Sequence, residues 1–224
     1  MMTTNVGSGT YMLAPMHADD IPEVVEIERE SFAVMWPSGS YQQEMRSNRM
    51  ARYLVLRYRP TPGEVVPPLP VRPPARRSFP FSLFPWLSPT TPEPDPSRPP
   101  VIGYAGLWLM VDEAHITTVA VRQTFRGRGL GKVLMLAMMD LARNLGARMV
   151  TLEVRESNAV AIKMYDDLGF QQKGVRPRYY TDNGEDAIIM WSEELFARSA
   201  RQRLDDANQA LLERVSWETV GTRR

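Results

Sequence analysis

Residues 122–132 read RQTFRGRGLGK, with an apolar run ending at Val121 before them and a helical pattern after them. Gly127, Gly129 and Gly131 carry no Cβ, so several backbone N–H groups can converge on one anion. A helix beginning here adds roughly half a positive charge at its N-terminus. Arg126, Arg128 and Lys132 add full charges. This is chemistry for a di- or polyphosphate; the competing reading is a tight turn with solvated basic residues. A nucleotide P-loop needs four residues between its glycines and a hydroxyl after the lysine. Gly127 and Gly131 have three between them and Val133 follows Lys132, so the Mg²⁺ ligand is missing. The spacing G-x-G-x-G also departs from the dinucleotide fingerprint G-x-G-x-x-G. Further along, Glu153 interrupts the apolar segment RMVTLEV (148–154), where a carboxylate is costly to bury without a partner.

The bulk properties narrow the classes. The chain has 224 residues, 43% apolar and 24% charged, an ordinary globular mixture. Lys plus Arg is 27 and Asp plus Glu is 26, a net charge of +1, so no global field holds a polyanion and no nucleic-acid binding is expected. Cysteine is absent, which excludes disulfides, thiolate metal sites and a cysteine nucleophile. The two histidines, His17 and His115, argue against a histidine-rich metal site or a serine hydrolase triad. No metal is expected. No run approaches the ~20 apolar residues of a membrane span, and no secretory pattern opens the chain; a cytoplasmic protein is the expectation.

The elements that must position these residues alternate in period. TYMLA (10–14), RYLVLRY (52–58), VIGYAGLWLM (101–110), AHITTVAV (114–121), RMVTLEV (148–154) and AIIMW (187–191) read as strands. Asp19 or Asp20 can cap a helix with Pro22 in its first turn and Val24, Val25 and Phe32 on its buried side. A short helix is expected near 39–47. Residues 129–145 form a longer one, with Val133, Leu134, Ala137, Met138, Leu141 and Leu145 on one face and Gly146 to stop it. A third runs from a cap at Ser157 or Asn158 through Leu168. Fifteen of the 19 prolines fall in 60–100, which excludes regular structure there and marks an insertion between two strands. Its SFPFSLFPWL (78–87) is expected to dock back on the domain, the competing reading being that it awaits a partner such as a ribosomal or membrane surface. In 192–224, Leu204, Ala207, Leu211 and Val215 trace one helical stripe. The reading is a mixed α/β domain over 10–191, interrupted at 60–100, with a helical or flexible C-terminal extension at 192–224.

Arg126-Gly127-Arg128-Gly129-Leu130-Gly131, between strand and helix, resembles the signature of the GNAT superfamily of acetyl-CoA-dependent N-acetyltransferases. DEAHITTVAV (112–121), LEVRESNAVAIKMYDDLGF (152–170) and YYTDNGEDAIIM (179–190) are similar to one member family, the ribosomal-protein-alanine N-acetyltransferases. The likeness covers most of 101–191 and, more weakly, 10–58. It implies a GNAT acyl-CoA N-acyltransferase fold and acetyl-CoA as co-substrate. The pantetheine arm would then pair with the backbone of Val119, Ala120 and Val121. The pyrophosphate would rest on the amides of 127–132 with Arg126 alongside, and Asn158 would lie near the coenzyme arm; as a residue it is equally a helix cap. The insertion and the extension depart from the family's compact pattern, and the insertion is expected on the acceptor side.

Acetyl transfer needs a neutral amine. An α-amino group with a pKa of ~8 is about one-tenth neutral at pH 7, so a base beside it is useful, as is an acid beside the departing thiolate. The resemblance gives Glu153 the first role, through water, and Tyr165 the second. From position alone, Glu153 reads as a solvated or Arg-paired carboxylate, with Arg155 or Arg178 as partner, and Tyr165 as an aromatic packed beside Ile162 and Leu168. His115 reads as structural. The acceptor implied is the N-terminal α-amine of a protein, in the family the N-terminal alanine of a ribosomal protein. A lysine side chain or small-molecule amine is the second reading, and an acyl-CoA-binding interaction module without catalysis the third.

Overall fold

The computed structural model describes residues 9–37, 39–64, 98–212 and 217–219. Along the chain these form β1 (Thr10–Pro15), α1 (Ile21–Ser31), α2 (Ser40–Ser47), β2 (Ala51–Arg59), β3 (Val101–Met110) and β4 (Glu113–Val121). There follow α3 (Leu130–Asn144), β5 (Met149–Arg155), α4 (Ala159–Asp167), β6 (Gln171–Tyr180), β7 (Glu185–Trp191), α5 (Arg198–Leu212) and β8 (Trp217–Thr219). Among the described residues the strands make one mixed sheet in the order β6-β7-β5-β4-β3-β2-β1-β8. The β4–β5 and β1–β8 pairs are parallel and the others antiparallel.

Alternation along the central strands sorts the core onto two faces. Tyr53 and Val55 of β2 and Tyr104 of β3 pack with Val24, Ile27 and Tyr41 of α1 and α2. Leu56 and Tyr58, with Ile102 and Leu107, pack on the other side with α3. There Val133, Leu134, Met135, Leu136, Met138, Met139 and Ala142 of α3 are all buried, more than one stripe. The reason is α5, which packs on α3 and buries Ala200, Leu204, Ala207 and Leu211. A helix covered by the sheet on one side and another helix on the other becomes apolar nearly all round. The stripe read from the sequence is therefore core through Leu211; Val215 lies outside the described residues.

Several local expectations change. Neither Asp19 nor Asp20 caps α1 with its side chain. Asp20 is 1% exposed and its carboxylate pairs with Arg57 and accepts from the His17 N–H at 2.9 Å. Phe32 is exposed because α1 stops at Ser31, one residue short of it. Strand β6 has no counterpart in the sequence reading. It carries Gly174 and Pro177, which an edge strand tolerates.

The docking cluster expected at 78–87 lies outside the described residues, as does most of the insertion. Its roots are described and both are anchored. Arg57 donates to Pro99 O at 2.7 Å and Arg98 approaches Asp20 at 3.3 Å. At the other root Glu64 accepts from the Thr61 N–H at 3.0 Å and from the Tyr58 hydroxyl. Tyr58 packs edge-on against Phe125 with ring centroids 5.4 Å apart, and Glu64 interacts electrostatically with Arg128. The Glu64 root thus abuts the glycine loop, while the Arg98 root sits against Asp20 and Arg57. The acceptor-side placement expected for the insertion concerns 65–97, which lie outside the described residues.

Two outcomes follow for stability. Leu204→Ala should cost about 2–4 kcal/mol in urea unfolding, as for other buried leucines; a removable appendage would lose less than about 0.5 kcal/mol. A variant joining Glu64 to Arg98 through Gly-Asn in place of 65–97 keeps both anchors, and should still unfold in one cooperative transition and bind acetyl-CoA.

Candidate active site

The glycine loop is built from backbone. Gly127 and Gly129 have φ of 76° and 82°, a region that disfavours side chains, and Gly129 is the N-cap of α3 with no side-chain cap. The first amides of α3 therefore have no side-chain cap, the kind of helix start that can receive an anion. A Cβ on Gly129 would meet Leu211 Cδ2 at 3.2 Å; one on Gly131 would meet Met164 Sδ at 3.7 Å, an ordinary contact. The cations Arg126 and Arg128 also have protein partners. Arg126 donates to Val121 O (2.9 Å), Ser31 Oγ (2.9 Å) and Glu30 O (3.4 Å), which commits it to the end of α1. Arg128 donates to Thr124 O (3.3 Å) and lies over the Phe125 ring at 5.0 Å. Arg122, which the sequence reading passed over, is fully buried and bonded to Val101 O, Glu30 and Glu26. It ties the end of β4 to α1.

Next to this loop the sheet opens. β4 and β5 pair only from Glu113–His115 against Met149–Thr151. On its other edge β4 carries a bulge: Gly106 pairs with Thr118 and Leu107 with Ile116, so Thr117 is the extra residue. A cleft of about 620 Å³ occupies the opening. Val119, Glu153, Asn158 and Tyr165 line it together with His115, Trp36 and Tyr180. Ala120 and Val121 have buried side chains and offer only backbone.

Glu153 faces away from the buried Val150, Leu152 and Val154, as the strand period requires. Its side chain is 8% exposed. The partners proposed from sequence, Arg155 and Arg178, are not the ones it has. His115 Nε2 stands 3.1 Å from Oε2 and Arg176 3.2 Å from Oε1. On the other side of the ring, His115 Nδ1 is 3.0 Å from Thr151 Oγ1. With Thr151 donating to Nδ1, the Nε2–H is left to donate to Glu153. That hydrogen bond, opposed by burial and aided by the Arg176 cation, holds the carboxyl below its usual range.

Tyr165 is 8% exposed, beside Phe170 with ring centroids 5.7 Å apart. Burial pushes its hydroxyl up to about 12. Asn158 is the N-cap of α4 and accepts from the Ala161 N–H at 3.2 Å. Arg155 is occupied elsewhere: it stacks on Tyr180 at 3.8 Å and pairs with Asp182 (2.8 Å) and Glu185 (3.1 Å). Glu185 also accepts from the Ser157 N–H at 2.7 Å. The segments RESN and YYTDNGED are thus one hydrogen-bonded unit beside the cleft.

Across the cleft, buried Glu28 accepts from the Trp36 N–H at 3.0 Å, and Trp36 stacks on Tyr41. Desolvation raises the pKa of Glu28. This holds the loop at Phe32–Pro37 against the cleft. Neither Glu28 nor His115 was singled out for a role at the site. A glutamate inside an apolar helix face and a histidine inside a strand were the available signals. Among the described residues, no group of His, Cys, Asp and Glu is placed to hold a metal ion.

Comparison with known proteins agrees with this geometry. A profile of the Acetyltransferase (GNAT) family matches residues 75–170. A Bacillus subtilis (strain 168) protein described as a candidate ribosomal protein bS18-alanine N-acetyltransferase is 34% identical over 176 residues, 79% of this chain and 91% of its own. The chain belongs to the GNAT acetyltransferase family. Within that family, the Escherichia coli (strain K12) ribosomal protein bS18-alanine N-acetyltransferase is 42% identical over 84 residues, 37% of this chain and 57% of that one. The fold matches the crystal structure of the E. coli ribosomal-protein-S18-alanine N-acetyltransferase with a TM-score of 0.60 at 24% identity, over 84% of this chain and 96% of that one. Ard1 from Thermoplasma volcanium matches with a TM-score of 0.57 at 22% identity, over 81% of this chain and 96% of that chain. The GNAT fold uses acetyl-CoA, and the open β4 edge and uncapped start of α3 fit an extended amide arm ending in phosphates.

The cap and the coenzyme can be separated by experiment. Asn158→Ala should cost about 1 kcal/mol in the protein without coenzyme, the usual loss of an N-cap, and Asn158→Ser should restore most of it in the same denaturation measurement.

Proposed function

We propose that this protein transfers the acetyl group of acetyl-CoA to the N-terminal α-amine of a protein, with the N-terminal alanine of a ribosomal protein as acceptor. The observation that carries the reading is Glu153, held by His115, and Tyr165 lining one cleft where β4 and β5 part. The names of the similar proteins support the acceptor class.

In this reading the backbone of Val119, Ala120 and Val121 pairs with the pantetheine arm. The amides of Gly127 to Lys132 receive the pyrophosphate. Arg128 and Lys132 add charge beside it, while Arg126, bonded to α1, keeps the loop in shape. Asn158 borders the arm. The coenzyme supplies an acetyl group activated as a thioester. Glu153, ionised through the neutral range because its pKa is lowered, takes a proton from the acceptor ammonium. The amine then attacks, the C–N bond forms and the C–S bond breaks. Tyr165, protonated well above neutral pH, gives its proton to the leaving sulfur and is restored by the second proton, which the nitrogen sheds as it becomes the amide. The loop Phe32–Pro37 and residues Tyr179–Asp182 flank the cleft from two sides and guide the acceptor.

Glu153→Gln should lower turnover by about 10²-fold, the lower part of the range for base catalysis, with little change in acetyl-CoA affinity. The loss should be largest at low pH, where the acceptor is almost wholly protonated. Tyr165→Phe should also slow turnover while leaving the fold intact. The decisive assay offers acetyl-CoA with N-terminal hexapeptides, lysine peptides and free polyamines. Preference for a lysine peptide or polyamine would replace the acceptor reading, and normal rates for both variants between pH 6 and 8 would remove the catalytic one.

A further inference from the structure

Both oxygens of Glu153 are occupied, but by partners of different kinds. His115 is 22% exposed at the side chain, sits where β4 and β5 are still paired, and is anchored by Thr151. Arg176 is 54% exposed and belongs to β6, the edge strand. Immediately after Arg176 the β6–β7 register breaks until Tyr180, and Arg178 has φ of 50° with its N–H given to Asp186. The Arg176 guanidinium also lies 5.6 Å from the Tyr179 ring centre, which offers it a second resting place. With the guanidinium half in solvent and a single contact at 3.2 Å, the arginine is the loosely held member of this pair. The remaining groups facing the Glu153 carboxylate are Thr151 and Tyr180, whose hydroxyl burial pushes up to about 12. Arg155 is spent on Asp182 and Glu185.

An α-amine reaches the cleft mostly as an ammonium, and Oε1 is the oxygen it needs. We propose that Arg176 is a positioning residue that stands in for the acceptor ammonium, capping Oε1 of Glu153 in the free protein and yielding it to the charged N-terminus. The inference rests on Glu153 being the proton acceptor. Exchanging one cation for another means the carboxylate, nearly buried, never lacks a counter-charge. The proton then passes from the amine nitrogen to Oε1, and the neutral amine goes on to the thioester. Arg176 returns when Glu153 has released that proton to water. A blocked, uncharged N-terminus brings nothing that displaces the guanidinium, so the device selects for a free amine.

The test uses the full chain with acetyl-CoA and a hexapeptide amide that begins with Ala and has no ionisable side chain. In Arg176→Ala the peptide KM should fall about threefold, the size of a weak exposed ion pair, with the acetyl-CoA KM unchanged. The acidic limb of kcat/KM should move to higher pH, because Glu153 loses a neighbouring cation. Arg176→Lys should restore the parent values. The N-acetylated peptide, used as an inhibitor, should bind the parent and Arg176→Ala equally. In a Glu153→Gln background, adding Arg176→Ala should leave the peptide KM unchanged. An unchanged or raised peptide KM in Arg176→Ala overturns the proposal. So does the same KM change in the Glu153→Gln background, which would mean that Arg176 touches the peptide directly. Normal turnover of Glu153→Gln alone defeats the base assignment itself, whereas slow Glu153→Gln with an unmoved KM in Arg176→Ala defeats only the role of Arg176.

Discussion

Strands β4 and β5 share three residue pairs and then separate, and this opening governs the rest of the site. A strand edge without a neighbour presents backbone donors and acceptors that need partners. Here that edge faces a cleft of about 620 Å³ in the middle of the sheet, walled by side chains of β4, β5 and α4. The opening also gives Glu153 and Tyr165 a common space, since one follows from β5 and the other from the helix after it. Closing the gap by continued pairing would remove both the backbone edge and the space.

What keeps the opening in shape is mostly charge and hydrogen bonding at its margins. Arg122, buried, ties the end of β4 to Glu26 and Glu30 of α1. Arg155 ties the end of β5 to Asp182 and Glu185 across the β6–β7 turn. Glu28 ties the loop after α1 back to its own helix through the Trp36 amide. Arg122 and Arg155 are charged groups whose partners lie far away in sequence, and burying such groups is tolerable only because they are paired. On the far side of the sheet α5 supplies apolar backing, with Leu211 against the position of Gly129 at the start of α3.

The strands with strong apolar patterns, the helix after the glycine loop and a cap at Ser157 or Asn158 could all be read directly, because local periodicity and single-residue backbone preferences carry that information; the fold selects Asn158. The motif residues were equally visible as types at a spacing. Strand β6 was not, since Gly174 and Pro177 erase its pattern and only its pairing with β7 makes it a strand. The full burial of α3 was also hidden, because the element covering it begins more than fifty residues later.

Residue identity and order thus determined which groups are present: a glycine loop before a helix, a carboxylate mid-strand, a tyrosine in the next helix and no cysteine at all. Tertiary structure decided their partners. Arg155 and Arg178 were the neighbours of Glu153 suggested along the chain, yet His115 and Arg176 reach it, because strand pairing brings β4 and β6 to its two sides. Arg126, which the resemblance places alongside a phosphate, takes its protein partners from the end of α1. Spacing along one chain fixes which face a side chain takes, but the charge it meets comes from whichever strand or helix the sheet order places opposite.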